Sequence, residues 1–366
     1  MSATLPSRVA RWIKKFGART FGGLLIGTVF VGAGLGYWSI PGAPTLENLV
    51  YDTRVKLSAS GEPDPKILIL DIDEKSLGSP KLGRWPWSRD RLAEITDILF
   101  DHYKIRILTF DVVFAEPDNS SGLQSLKALA ANELKDSGEF QSILERISPK
   151  LDFDRRFENS LKGRPVVLGF YFNAGKDSVE SGELPFPVLM PEDLELTWTD
   201  FPEWGGFGSN LPGIVSSSVL SGSFNPIVDA DGIVRRIPML IKYNDEYYET
   251  LALATARLHW ALKESSDKGG LRLPPIIPFP QAAAPSSSGV GLPSMEGLRV
   301  GNISVPVDAS SNVLVPYRGG PKSYQYISLI DVLEKRVDPA LLRDTIAVVG
   351  TTAPGLVDLR ATPVSG

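Results

Sequence analysis

The chain has 366 residues, a globular composition, a net charge of −5 and no cysteine. This length suits one large domain or two smaller ones, and the missing cysteines exclude disulfides, thiolate nucleophiles and cysteine metal sites. The two histidines, His102 and His259, fall in separate helical patterns, which argues against a multi-histidine centre or a His-based triad. Any metal would be a hard cation on carboxylates, and neither a metal nor a cofactor is expected.

The first 20 residues hold Arg8, Arg11, Lys14, Lys15 and Arg19 and no acid, so the acidity lies in the body that follows. An acidic body argues against nucleic acid as a partner. Phe21 to Pro44 carries no charge. About 20 such residues span a bilayer, and the positives before them suit the cytoplasmic side. The reading is therefore a basic arm over 1–20, a transmembrane helix over 21–40 with Tyr37 and Trp38 at its outer end, and an outer domain over 41–366. A cleaved signal peptide fits less well, because its apolar core would be unusually long and Pro44 follows the only passable cleavage site. Gly23 with Gly27 and Gly32 with Gly36 have the spacing that lets two membrane helices approach, which makes a homodimer the expected assembly. Equally, Gly is simply common in membrane helices.

Pro44 to Lys56 predicts a short helix with Leu46, Leu49, Val50 and Leu57 on one side. Ile67–Leu70 and Ile105–Phe110 are short apolar runs that suit buried strands, and a helical stripe of Leu92, Ile95 and Leu99 lies between them. This β-α-β unit puts Asp71, Asp73 and Asp111 at carboxyl ends of parallel strands, where ligands of open α/β sheets collect. Those aspartates could hold a cation or move protons, or could equally cap turns and pair with arginines. Arg84-Trp85-Pro86-Trp87-Ser88-Arg89 precedes the helix, with Ser88 as its N-cap. The two tryptophans either pin the helix start or form an aromatic platform flanked by Arg84 and Arg89. Glu116 follows Asp111 in the same stretch. The ligand-contact candidates are thus Asp71, Asp73, Arg84, Trp85, Trp87, Arg89, Asp111 and Glu116.

Leu123 to Phe157 predicts two or three helices broken near Ser137-Gly138 and Ser148-Pro149, and Arg164–Tyr171 a further strand. Asn173 to Pro212 is long and irregular, with Phe186, Trp198, Phe201, Trp204 and Phe207 favouring an ordered flap. Asp229-Ala-Asp-Gly232 is a hairpin turn rather than a calcium loop, because Arg235 and Arg236 stand where later acidic ligands would be needed. A helix over Tyr248–Leu262, a Pro/Ser-rich insertion over 268–297 and a hairpin of 302–306 with 313–317 follow. The last unit is a helix over Ser328–Arg336 and a strand over Thr345–Val349, before a Gly-rich turn that lacks the Gly-Lys-Ser/Thr of a phosphate loop. The fold class is α/β: a mixed, largely parallel sheet with flanking helices and β-hairpin additions, preceded by one transmembrane helix.

Three blocks stand in order behind that helix: Ile69-Leu-Asp-Ile-Asp-Glu-Lys-Ser-Leu with Gly83-Arg-Trp-Pro-Trp-Ser-Arg, Thr109-Phe-Asp-Val-Val-Phe-Ala-Glu-Pro-Asp, and Ile346-Ala-Val-Val-Gly-Thr-Thr-Ala-Pro-Gly. With Asp229-Ala-Asp-Gly-Ile-Val-Arg-Arg-Ile-Pro they resemble the second class of CHASE domain. The resemblance implies an extracytoplasmic sensory module of a bacterial receptor. It also implies usually three further membrane helices and a cytoplasmic output, most often a class III adenylate or guanylate cyclase, otherwise a histidine kinase, Ser/Thr kinase or diguanylate cyclase. Gly366 falls where that family continues, so a longer protein is expected. The signal, whether a small molecule, a partner protein or a physical change, is not implied. The competing readings are a periplasmic enzyme using Asp71, Asp73 and Asp111 with Mg²⁺ or Ca²⁺, and an anchored solute-binding protein.

Overall fold

The computed structural model describes residues 7–34, 41–173, 179–194, 200–268, 270–279, 295–354, 356 and 360–364. The chain divides into two compact units, residues 1–58 and 59–366.

The first unit contains helices Ser7–Gly34 and Ala43–Ser58. Among the described residues no helix is long and apolar enough to cross a membrane. The described residues therefore do not support the span expected over 21–40, of which 35–40 lie outside them. The first half of the 28-residue helix carries the five basic residues, and only Phe21–Gly34 is apolar. At ~1.5 Å per residue that part is ~21 Å long, against ~30 Å of hydrocarbon. Residues 35–40, with Gly36, Tyr37 and Trp38, lie outside the described residues. On the second helix Leu46, Leu49, Val50 and Leu57 are 58–83% exposed, so its apolar side stands uncovered.

The second unit is built on a seven-stranded sheet of β1 (Ile67–Ile72), β2 (Ile107–Phe110), β3 (Val166–Asn173), β4 (Gly206–Gly208), β5 (Leu220–Ser223), β6 (Gln325–Ser328) and β7 (Ile346–Thr351). Their order is β6-β1-β7-β2-β3-β4, with β5 also on β3, and every pairing is parallel except β3 with β4. The class is therefore α/β with a largely parallel sheet and flanking helices. β1 and β2 are parallel, as the β-α-β reading expects, and the last strand, β7, lies between them.

Alternation along the strands makes two cores, as a sheet covered on both faces requires. Leu68, Leu70 and Ile72 of β1, Leu108 and Phe110 of β2, and Ala347 and Val349 of β7 pack with Leu92, Ile95 and Leu99, and with Phe157 and Leu161 of helix Phe153–Leu161. On the opposite face Ile107 and Val167 meet Leu251, Ala254 and Leu258 of helix Leu251–Lys268. Each fully buried side chain of this size contributes about 1.5–3 kcal/mol of transfer free energy, so these two layers dominate the fold.

The helix expected from Ser88 spans Arg89–Asp97 and widens into a π-helical turn, Ile98–Tyr103, closed by Lys104 at φ 58°. The break near Ser137 is present, with Ser137 capping helix Gly138–Leu151. The break expected near Ser148-Pro149 falls at Asp152: the proline rides within the helix, and the chain turns at Asp152, whose carboxylate caps helix Phe153–Leu161. The Asp229 hairpin joins strands Ile227–Val228 and Val234–Pro238, with Gly232 at φ 82°. The hairpin expected at 302–317 does not form. Ile303–Pro306 pairs with Gly297–Val300, and Asn312–Leu314 pairs with Val234–Pro238. Tyr248 and Glu249, expected to begin a helix, end the strand Glu246–Glu249, which pairs with Leu240–Tyr243, and the helix spans Leu251–Lys268. The ends of the expected insertion contribute to a sheet through Ile276–Phe279 and Gly297–Val300, while 280–294 lies outside the described residues. In the flap, Phe201 packs edge to face on Tyr247 at 4.8 Å and Trp204 stacks on Phe172 at 6.2 Å. Phe186 is 96% exposed, and Trp198 lies outside the described residues.

Candidate functional site

Strand register determines where the three aspartates stand. Leu70, Val349 and Phe110 are in register and share one core, so the next residue on each strand faces the opposite side. Those residues are Asp71, Gly350 and Asp111. Asp71 pairs with Gly350, and the Asp111 amide donates to Val349 O at 2.9 Å. The two carboxylates thus sit at one edge on one face, two strand spacings or roughly 10 Å apart. Gly350 lies between them, and a Cβ there would meet nothing within 4 Å. Among the described residues this leaves a slot at the sheet's carboxyl edge. Sequence reasoning placed both aspartates at this edge but not the glycine, because nothing local to Gly350 says that β7 runs between β1 and β2.

The three acids have different occupations. Asp71 is 6% exposed and takes two bonds from Thr352, from its amide at 2.9 Å and its hydroxyl at 2.6 Å. It clasps the turn after β7, and burial pushes its carboxyl up despite those donors. Asp73 caps the short helix Glu74–Leu77 through the Ser76 amide at 2.8 Å and accepts from Ser328 Oγ at 2.8 Å. Asp111 is the one of the three whose carboxylate has no protein donor among the described residues. It reaches solvent, while the crowding of protein around it pushes its carboxyl up. No group of three acids or histidines able to hold a metal ion forms among the described residues. One unengaged carboxylate beside a slot can accept hydrogen bonds or face a cation, but it supplies no acid–base pair.

The other candidates gather at the start of helix Arg89–Asp97. Trp87 is 2% exposed and donates from Nε1 to Gly83 O at 2.8 Å. Trp85 is half-buried on the same core and meets Trp87 edge to face at 5.3 Å. Arg84 is exposed. Arg89 is buried, its guanidinium 4.5 Å above the Phe114 ring, with Nη2 donating to Glu116 O at 3.3 Å and Nε facing Asp154 at 3.7 Å. Burial lowers the pKa of Arg89 and raises that of Asp154. The Glu116 side chain faces solvent. Ser88 stands at the N-cap but makes no capping bond; its hydroxyl donates to Asp90. The Arg89 amide instead donates to Asp118 Oδ2 at 2.6 Å, so the loop after β2 caps the helix. At the hairpin, Arg235 is buried and binds both Asp229 and Asp231 at 2.8 Å, so those carboxylates hold the turn.

Gly23 and Gly27 lie on helix Ser7–Gly34 with nothing within 4 Å of an added Cβ. Gly32 is on the same helix, and Gly36 lies outside the described residues.

Comparison with protein families finds that the CHASE2 domain matches residues 25–365, nearly the whole chain. No curated protein and no solved structure matches it.

Proposed function

The chain belongs to the CHASE2 domain family, sensory domains typical of extracytoplasmic sensors in signalling receptors, and we propose that it is the sensory part of a bacterial receptor with a class III adenylate or guanylate cyclase as its output. The carrying observation is the family match over 25–365. The site chemistry supports recognition rather than turnover, because Asp71 and Asp73 are engaged in holding turns. In this reading the second unit faces the extracytoplasmic side. The helix Ser7–Gly34 attaches to the membrane, its basic first half at the anionic surface and Phe21, Leu24, Leu25, Ile26 and Phe30, all at least 56% exposed, in the lipid. The receptor works as a homodimer. The uncovered Leu46, Leu49, Val50 and Leu57 face of helix Ala43–Ser58 and the open sides of Gly23 and Gly27 support that assembly, and a signal would favour one of two dimer arrangements.

The test is to read the natural coding region beyond the Gly366 codon. Three apolar segments followed by a cyclase catalytic module are expected. A kinase or diguanylate cyclase module there would replace the cyclase assignment, and an immediate stop codon would overturn the receptor reading in favour of an anchored binding protein.

A further inference from the structure

A large cleft of the second unit lies away from the aspartate edge. About 750 Å³ of space opens between the flap at 183–188, strand β5, the hairpin of Leu240–Tyr243 with Glu246–Glu249, and the helix carrying Arg257. That volume is in the range of small-molecule sites, roughly 300–1,000 Å³.

Its lining contains three buried polar groups that the protein leaves incompletely bonded. Ser221, Glu249 and Arg257 are 6%, 2% and 7% exposed, and Ser221 Oγ, Glu249 Oε2 and Arg257 Nε have no hydrogen-bond partner among the described residues. Buried polar atoms without partners are few in native folds, and three of those among the described residues fall on residues that line this one cleft. The charges indicate what. Three carboxylates, Glu183, Glu246 and Glu249, line the cleft against one guanidinium, Arg257. Arg257 is already held by Glu249 Oε1 at 2.8 Å and Pro274 O at 3.1 Å. An anion would have to break that pair while facing two further acids. A cation meets an acidic lining, with the rings of Tyr243 and Tyr248 in the same lining to receive positive charge. Leu184, Val219 and Leu273 supply apolar wall, with Ser216 and Ser218 beside them. At the mouth, Phe186 exposes nearly its whole ring, an aromatic surface placed to cover a bound apolar body.

We propose that this cleft is the sensor's ligand site and that it takes a small organic amine, the ammonium group at the acidic wall of Glu246 and Glu249 and the apolar body against the wall under Phe186. The proposal rests on the sensory reading for its physiological meaning, whereas binding is measured on the chain alone, so failure here would leave that reading in place.

The experiment is thermal-shift and calorimetric titration of the full chain in detergent with n-butylamine, cyclohexylamine and 2-phenylethylamine, against 2-phenylethanol and 3-phenylpropionate. At least one amine is expected to bind and to exceed both matched controls by about tenfold. Glu249→Gln keeps an acceptor for Arg257 and is expected to cut amine binding about tenfold or more. Phe186→Ser, at a position too exposed to affect folding, is expected to weaken it several-fold. Binding of no amine at ~10 mM, equal binding of the alcohol or the carboxylate, or amine binding unchanged in both variants would each overturn the proposal.

Discussion

Replacing Arg257 by Met tests the most deeply buried ion pair described above. Arg257 Nη2 and Glu249 Oε1 are 2.8 Å apart with side chains only 8% and 1% exposed. Met fills a similar volume but leaves Glu249 without its cation and Pro274 O without a donor. Breaking one side of such a pair costs about 3–5 kcal/mol. Burial already lifts Glu249 to about 7 against the pull of Arg257, so protonation relieves part of the stranded charge and favours the lower end near neutral pH. At about 2–4 °C per kcal/mol, Tm should fall by roughly 6–20 °C. The double variant Glu249→Leu/Arg257→Met should recover most of that loss, because a well-packed apolar replacement of a buried pair is close to neutral. Urea unfolding followed by tryptophan fluorescence and circular dichroism measures both. A single-variant loss under about 1 kcal/mol, or a double variant no better than the single, would refute the reasoning.

Glu249 also predicts a pH dependence. Its carboxyl moves from an ordinary value of 4.5 to about 7 in the fold, so between those values the unfolded chain releases a proton that the folded chain keeps. The resulting stability is present below about 4.5 and is lost as pH rises to about 7. The stability difference between the wild type and Glu249→Gln should therefore decline across that window and level off above it, and a flat difference would contradict the assignment. Asp118→Ala should destabilise the chain by about 1 kcal/mol through loss of the helix cap, whereas Ser88→Ala should stay within about 0.5 kcal/mol; denaturant titration that reverses this order would return the cap to Ser88. An added Cβ at Gly169 would stand 2.6 Å from Phe110 O, while one at Gly350 meets open space. Gly169→Ala should thus cost about 1–3 kcal/mol and Gly350→Ala under about 0.5 kcal/mol, compared by thermal melts.

Much of the sheet is legible in the sequence because its strands are short apolar runs buried on both faces. Ile67–Leu70, the run into Phe110 and Ile346–Val349 declare themselves this way, and the Asp229 turn declares itself through Gly232. Strand order does not. Parallel partners are joined by long crossovers, so nothing in Ile346–Val349 tells that it enters between β1 and β2. The failed hairpin at 302–317 has the same cause, since two adjacent extended segments found better partners in Gly297–Val300 and Val234–Pro238. Asp71, Asp73 and Asp111 could be placed at the sheet edge from strand ends alone. Their separate occupations depend on Thr352 and Ser328, more than 250 residues away. Asp118 as a cap, and the cleft of Ser221, Glu249 and Arg257, arise likewise from tertiary packing. The membrane helix was read from absence of charge over 21–44. The described helix, Ser7–Gly34, carries the basic arm in its first half and the apolar run from Phe21 in its second.

The most direct test of the sensory account is the side of the membrane on which the second unit lies. Alkaline phosphatase and green fluorescent protein fused in turn after Gly366, in a bacterial host, report the two sides oppositely. The account predicts an active phosphatase and a dark fluorescent protein. A bright fluorescent protein with an inactive phosphatase would put the domain inside the cell and contradict it.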